Sequence, residues 1–310
     1  MQIFQIKNNK FVKIKEKKFD YEKDMQSLVE KNLQEVFGLE FISGHLNKQF
    51  VIKNREIDTV AFDSQTNSFV IIEYKRDKSS SVIDQGYTYL GLLLNNKADF
   101  VLHYNETTNK NLKKDDIDWN QSRVVFIARE FTPYQKGAIA FKDLPIELIE
   151  IQLMEEGLIS FSQLKATETQ ESITKVTKSH TIKKLAQEVK SFTFEDHYNN
   201  ASLEIRVLLD KMRERILSLD EDIKEKPTQA YIGYKLNWYN FVSVHVLKGK
   251  LKIYVRKTKF EKDKENKFKK IPASYGWGKT PLWWIDMTSK KNLDYVMEVI
   301  KESYNSAPDK

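Results

Sequence analysis

No cysteine occurs among the 310 residues. That excludes disulfides, thiolate nucleophiles and cysteine-ligated zinc or iron–sulfur centres. Histidine is scarce as well: His45, His103, His180, His197 and His245 are scattered without metal-ligand spacing and read as structural or exposed residues. His45 stands out only because it precedes the hairpin described below. No run reaches the roughly 18 apolar residues that a membrane span requires. The segment Met1 to Lys18 alternates apolar and basic residues and lacks the apolar centre of a signal peptide. These absences lead to the expectation of a cytoplasmic protein with no membrane partner. Internal repeats and long low-complexity tracts are missing too.

What remains is a core-forming composition. The chain is 40% hydrophobic and 12% aromatic, and its length exceeds one typical domain, so two folded domains are expected. Residues 165–195 are rich in Thr, Ser, Lys and Glu and poor in large apolar side chains, which reads as a linker carrying a helix near Thr181 to Val189. The expected division is therefore a first domain over 1–164, the linker, and a second domain over 196–310.

The densest chemistry lies in the first domain. Residues 49–63 and 68–75 are rich in Val, Ile, Phe and Thr, and Ser64-Gln65-Thr66-Asn67 between them is turn-forming, so the pair reads as a β-hairpin. A four-residue loop pairs Phe62 with Phe69, Val60 with Ile71 and Asp58 with Glu73. Opposed side chains stand about 5 Å apart at Cβ. Alternation then puts Glu73, Lys75 and Asp58 on one face. Like charges in such a position repel unless a cation or a shared proton compensates them, and Mg2+ is commonly held by one or two carboxylates with phosphate and water. Lys75 is placed to orient or deprotonate a water, or to stabilise a pentavalent phosphate. Alternating charged and apolar residues also mark the wet face of an ordinary amphipathic strand. Against that, the apolar run Phe69 to Ile72 suggests a strand covered on both faces, where unpaired charge is costly.

These residues resemble the PD-(D/E)xK, or restriction-endonuclease-like, nucleases, within them the NucS- and RecB-type branch. The resemblance covers roughly residues 1–163 and rests on Asp58, Glu73 and Lys75 followed by Gln85-Gly86-Tyr87-Thr88-Tyr89, which matches a Gln-x-x-x-Tyr signature. Ile57 stands where the family name puts proline. The resemblance implies that Asp58 and Glu73 ligate Mg2+ or Mn2+, that Lys75 assists the hydrolytic water, and that Gln85 and Tyr89 hold nucleic acid or the site itself. It also implies a glutamate from the first helix near the metal, for which Glu30 is the candidate; a solvated helix face accounts for Glu30 equally well.

The flanking pattern agrees with the family order of helix, β-meander, helix, strand. Met25, Leu28, Val29, Leu33 and Val36 recur at helical spacing over 21–37, with Asp20 as N-cap and Gly38 just beyond the end. A second helix over 81–95 puts Gln85 and Tyr89 on one face. Strands are expected at Ala98 to Tyr104 and Arg123 to Ala128, a short helix at Pro133 to Ala140, and a closing hairpin from Ile146 to Leu164 around Glu155-Glu156-Gly157. The fold class is thus α/β, a restriction-endonuclease-like mixed sheet flanked by helices, followed by a smaller α+β domain with an antiparallel sheet.

In that second domain an amphipathic helix carries Leu203 to Ile216, strands follow at 231–236, 241–247 and 251–256, then an aromatic loop, then a final helix through Leu293 to Ile300. The domain resembles an uncharacterised C-terminal domain that accompanies nuclease-like domains in prokaryotes. Residues 248–270 hold eleven Lys or Arg against three acidic residues, so the basicity of the chain is local. Such a stripe can track a phosphate backbone, with Trp277, Trp283 and Trp284 stacking on bases. Lysine-rich hairpins also serve to protect edge strands, and alternating Trp residues also build cores. Arg55, Arg76, Lys78, Lys257 and Lys259 are the candidate nucleic-acid contacts. The expected function is a divalent-metal-dependent nuclease acting on DNA; the alternative is a noncatalytic nucleic-acid-binding protein on the same fold. A homodimer that cuts two strands stays open.

Overall fold

A computed structural model describes residues 3–75, 82–138, 145–164, 192–272 and 280–308. Within them the chain divides into two compact units, one drawn from most of residues 3–164 and the other from 192–308. The expected helix at 181–189, Arg76, Lys78 and Trp277 lie outside the described residues.

The first unit begins with a two-stranded ribbon, β1 (Ile3–Lys7) and β2 (Lys10–Ile14), and a short strand β3 (Glu16–Lys17). Helix α1 (Glu22–Lys31) follows, started by Asp24, whose carboxylate accepts the Tyr21 backbone N–H at 3.1 Å. The single helix expected over 21–37 is broken: Asn32 leaves helical geometry and donates its amide to the Leu28 carbonyl, and α2 (Leu33–Phe37) restarts beyond it. Gly38, at φ +66°, ends this segment in the left-handed region that glycine tolerates.

Strand β4 (Glu40–Ser43) is followed by a second departure from the pattern. Residues 49–63 are not one strand, because Lys53 and Asn54 both adopt positive φ (49° and 60°) and turn the chain between β5 (Phe50–Ile52) and β6 (Arg55–Ile57). Positive φ at both central residues marks the tight hairpin turn usually announced by Asn-Gly, and Lys-Asn carries no such glycine. After a bend at Asp58 the chain enters β7 (Thr59–Asp63), turns, and returns as β8 (Ser68–Lys75). The β7–β8 ladder pairs Val60 with Ile71 and Phe62 with Phe69, the expected register, and Asn67 at φ 50° closes the turn.

Helix α3 (Val82–Asn95) and α4 (Lys97–Thr108) cross over to β9 (Arg123–Ala128), which runs parallel to β8. The strand expected at 98–104 is therefore the middle of α4. Its two buried residues, Phe100 and Tyr104, are four apart, a spacing that serves a helix; a short apolar run does not discriminate the two. Helix α5 (Pro133–Ala138) leads to β10 (Ile146–Met154), parallel to β9, and β11 (Ile159–Gln163) folds back on it as the closing hairpin, in which Glu156 and Gly157 take positive φ. The resulting mixed sheet has the order β11-β10-β9-β8-β7-β4, with β3 pairing β10. The helix, meander, helix, strand order and the two parallel pairs make this unit an α/β fold with β8 at its centre.

The second unit is α+β. Helices α6 (Phe194–Tyr198) and α7 (Leu203–Leu217) precede β12 (Lys224–Pro227), β13 (Ile232–Leu236), β14 (Tyr239–Leu247), β15 (Lys250–Arg256), β16 (Lys269–Lys270) and β17 (Leu282–Met287), and α8 (Leu293–Tyr304) ends it. All pairings in the sheet are antiparallel, in the order β12-β13-β14-β15-β17-β16. Ile205, Leu208, Leu209, Met212 and Ile216 of α7 and Val296, Val299 and Ile300 of α8 share a core with Ile232, Val242, Val244, Ile253 and Val255. The expected aromatic loop is corrected here, since Trp283 and Trp284 are consecutive residues of β17 and so point to opposite faces.

Among the described residues no helix is long and apolar enough to cross a membrane. The first core converges on Phe69, which is fully buried and meets the rings of Phe62, Phe100, Tyr104 and Trp119 at centroid distances of 5.3, 5.6, 6.1 and 5.7 Å. Phe69→Ala is expected to cost about 3–5 kcal/mol, measured by urea denaturation, because it removes a ring that four others surround.

Candidate active site

The site forms where β8 ends. From Ser68 to Tyr74 every residue of this strand is buried, and only Lys75 emerges. Antiparallel pairing to β7 holds the strand on one side as far as Ile72, and parallel pairing to β9 on the other holds it to its last residue. Alternation assigns Phe69, Ile71, Glu73 and Lys75 to the face packed by α3 and α4, and Val70, Ile72 and Tyr74 to the face packed by α1.

Glu73 has two unlike carboxylate oxygens. Its Oε1 accepts from Lys75 Nζ at 2.7 Å and from Gln85 Nε2 at 3.0 Å. Its Oε2 is buried and has no hydrogen-bond partner. The expected cross-strand pair of Asp58 with Glu73 does not form, because the ladder ends at Thr59 and Ile72; Asp58 sits one residue before it, in the bend, and its Oδ2 accepts the Tyr74 backbone N–H at 3.1 Å. The carboxyl of Asp58 is pushed up to about 7, first by burial and second by the negative charge of Glu73; the Tyr74 N–H and Lys75 oppose the shift without cancelling it. Tyr89, one turn beyond Gln85 on α3, sets its hydroxyl beside Glu73 and Gln85 and is raised above the ordinary phenol range, again first by burial and then by Glu73. The structure therefore brings Asp58, Glu73, Lys75, Gln85 and Tyr89 together.

Glu30 is placed elsewhere. Its Oε1 accepts from Gln26 Nε2 (2.9 Å), the His45 N–H (3.0 Å) and Thr59 Oγ1 (2.6 Å), and its Oε2 from the Leu46 N–H (2.9 Å). Thr59 pairs with Ile72 and so belongs to the Tyr74 face, the opposite side of the sheet from Glu73. The helix that carries Glu30 packs on that side, which is the physical reason it does not join the other two acids. It acts instead as a buried anchor for the loop after β4. Gly44 makes the approach possible, because a Cβ there would stand 2.1 Å from Glu30 Oε1 and 2.8 Å from the Asp58 carbonyl. Gln26 ties the same helix to Asp58, donating to its carbonyl at 2.8 Å. Gln26 was legible only as a residue one turn before Glu30, and Gly44 only as an isolated glycine after an apolar strand.

The expected nucleic-acid contacts are dispersed. Arg55 is exposed on β6, and Lys259 is exposed after β15. Lys257 is paired with Glu302 at 2.6 Å. Trp283 packs on the second unit's core and donates its indole N–H to the Lys257 carbonyl at 2.9 Å.

Whether a metal suits these residues can be tested on the geometry. Two oxygen-donor carboxylates, one with a buried unpartnered oxygen and the other pushed towards its neutral form first by burial and then by its neighbour, are the donor set and the electrostatic imbalance that a hard divalent cation relieves. Among the described residues no three His, Asp or Glu side chains gather as a metal-binding group, so the rest of a coordination shell would come from water and phosphate.

Comparison with known proteins gives the family without a function. The chain belongs to the same family as an uncharacterized protein of Haemophilus influenzae, to which it is 36% identical over 305 residues, covering 98% of this chain and 99% of the relative. Residues 194–307 match the model of a domain of unknown function (DUF5655). Among solved structures, a complex of EndoMS with double-stranded DNA is 17% identical with a TM-score of 0.24, covering 42% of this chain and 44% of that one. A repair endonuclease from Pyrococcus abyssi is 19% identical with a TM-score of 0.25, covering 44% and 50%. The chain thus spans half or less of each of these two proteins.

Two outcomes follow from this geometry. Glu30→Ala strands buried donors on the loop after β4 and is expected to lower stability by at least about 3 kcal/mol in urea denaturation. For Asp58, the folded carboxyl binds its proton more tightly than the ordinary carboxylate at 3.8 does, so without metal the folded state is favoured as pH falls from about 7 towards 4 and disfavoured as pH rises through 7. The difference in melting temperature between Asp58→Asn and the wild type, both in EDTA, should therefore grow from pH 5 to pH 8 in favour of the variant.

Proposed function

We propose that the first domain is a divalent-metal-dependent phosphodiester hydrolase of the PD-(D/E)xK class, acting on DNA. The observation that carries this reading is the buried Glu73 carboxylate, which spends one oxygen on Lys75 and Gln85 and leaves the other unpartnered. Asp58 and Glu73 would hold Mg2+ or Mn2+. A divalent cation held there supplies the Lewis acid that neutralises charge developing on a phosphodiester.

The chain's own residues do the rest. Lys75 projects from the end of a rigid strand and remains 19% exposed, so its ammonium reaches solvent while its position is set by Glu73. In that place it holds an attacking water and offers a positive charge to the phosphate. Gln85 fixes the rotamer of Glu73 by its amide, and the neutral Tyr89 hydroxyl closes the site on the α3 side. The Tyr74 N–H orients Asp58. Lys75, Gln85, Tyr89 and the Tyr74 N–H are each carried by a helix or strand, so little reorganisation is needed when substrate binds.

One observation favours the second reading, a nucleic-acid-binding domain without turnover: Glu30 is committed to four internal donors, leaving two carboxylates at the site. Incubating the full chain with labelled duplex, branched and single-stranded DNA and with RNA, in Mg2+, Mn2+ or EDTA, decides between them. Cleavage is expected with metal, none with EDTA, and a fall of at least about 100-fold in both Lys75→Ala and Glu73→Gln. Equal cleavage by wild type and Lys75→Ala would dismiss the hydrolase assignment, and binding without products in any metal would leave the second reading standing.

A further inference from the structure

The sheet of the second domain has two faces of different chemistry. One carries the aliphatic residues that pack on α7 and α8. On the other, the intervening positions bring rings into a row. His245 of β14 lies 5.2 Å from the ring of Tyr231 and 4.7 Å from that of Tyr254 on β15, and Tyr254 is the direct cross-strand partner of Trp284 on β17. All four rings are partly exposed. Lysines border them: Lys252 Nζ stands 4.1 Å and Lys269 Nζ 5.2 Å from the centre of the Trp284 ring. Among the described residues neither ammonium forms an ion pair, whereas the acid on this face, Asp286, is already bound to Lys250 at 2.7 Å.

The His245 ring also carries a buried Nε2 with no partner. Burial, and next the charge of Lys252, push its pKa down to about 4, so at neutral pH it is an uncharged aromatic surface.

We propose that this face binds single-stranded nucleic acid, with bases stacking on Tyr254 and Trp284 and the flanking phosphates on Lys252 and Lys269. Neighbouring strands are about 4.8 Å apart, so rings on adjacent strands can serve successive unstacked bases. A duplex hides the faces of its bases and would leave the rings unused. An acidic peptide would satisfy the lysines but likewise ignore the rings. A lipid surface would need a broader apolar patch than Leu247, 43% exposed at the edge of this face, provides. The proposal stands on this sheet alone and does not require the first domain to cleave.

The test is fluorescence anisotropy of the full chain in EDTA, which stops metal-dependent cleavage, with a labelled oligo(dT) of about 20 nucleotides, the matching oligo(U), a duplex of equal length and poly-glutamate. The single strands are expected to bind at least about 10-fold more tightly than the duplex, with affinity falling steeply as salt rises. Trp284→Leu should weaken oligo(dT) binding by about 10-fold or more, and Trp284→Phe should restore most of it, which a merely structural role of the indole would not predict. Lys252→Glu with Lys269→Glu should weaken binding and flatten the salt dependence; these changes leave the core untouched, and they decide the matter if Trp284→Leu fails to fold. Unchanged binding in the lysine double variant, equal affinity for duplex, or preference for poly-glutamate would each overturn the proposal. Because binding is read in EDTA, where no metal-dependent cleavage runs, failure of the hydrolase reading and failure of this surface are separable.

Discussion

A strand that is buried on both faces for seven residues and then must end in charge is the constraint around which the first domain is organised. Within β8, Phe69 and Ile71 face one helical layer and Val70 and Ile72 the other, so the backbone cannot twist or slide without exposing one set. Glu73 arrives at the edge of that layer with its carboxylate only 5% exposed. A charge so placed has to be compensated locally, by Lys75 two residues along on the same face and Gln85 from the next helix, and it adds to the burial that already disfavours ionisation of the second acid, Asp58.

Rigidity and electrostatic tension here have the same origin. Had Glu73 projected from a loop, water would have solvated both oxygens and the repulsion with Asp58 would have been screened. Parallel pairing with β9 removes that freedom, and α3 covers this face against solvent. On the opposite face the same sheet uses a carboxylate differently. Glu30 is as buried as Glu73, yet four donors satisfy it, and it serves as a structural knot between α1, the loop after β4, and Thr59. Two buried glutamates across one sheet are thus distinguished by how completely their oxygens are satisfied, the one left incomplete being the one suited to an external ligand.

The second domain applies the alternation of a sheet to a different end. Trp283 and Trp284 are neighbours in sequence and opposites in role, one packed on the core and the other bordered by lysines on the far face. A dense cluster of Lys and Arg does not by itself identify a binding surface, since Lys257 in that same stretch is consumed by Glu302. What separates the two cases is whether a carboxylate lies within reach once the chain has folded.

Much of this could be read in advance. The β7–β8 register followed from four turn-forming residues and the pairing arithmetic they impose, and the helix that sets Gln85 beside Glu73 followed from a four-residue spacing, because periodicity and turn chemistry are local properties. The β5–β6 turn is hidden in the sequence because Lys53-Asn54 adopts a conformation more often signalled by glycine, and α4 reads as a strand because a short apolar run has no period of its own. Sequence alone determined that Glu73 and Lys75 share one face of a strand whose hairpin begins next to Asp58, and that basic residues crowd one stretch of the second domain. Only the tertiary structure decided that Glu30 lies across the sheet, that one oxygen of Glu73 goes unsatisfied, and which lysines keep their charge free, for burial and partnership are set by elements distant in the chain.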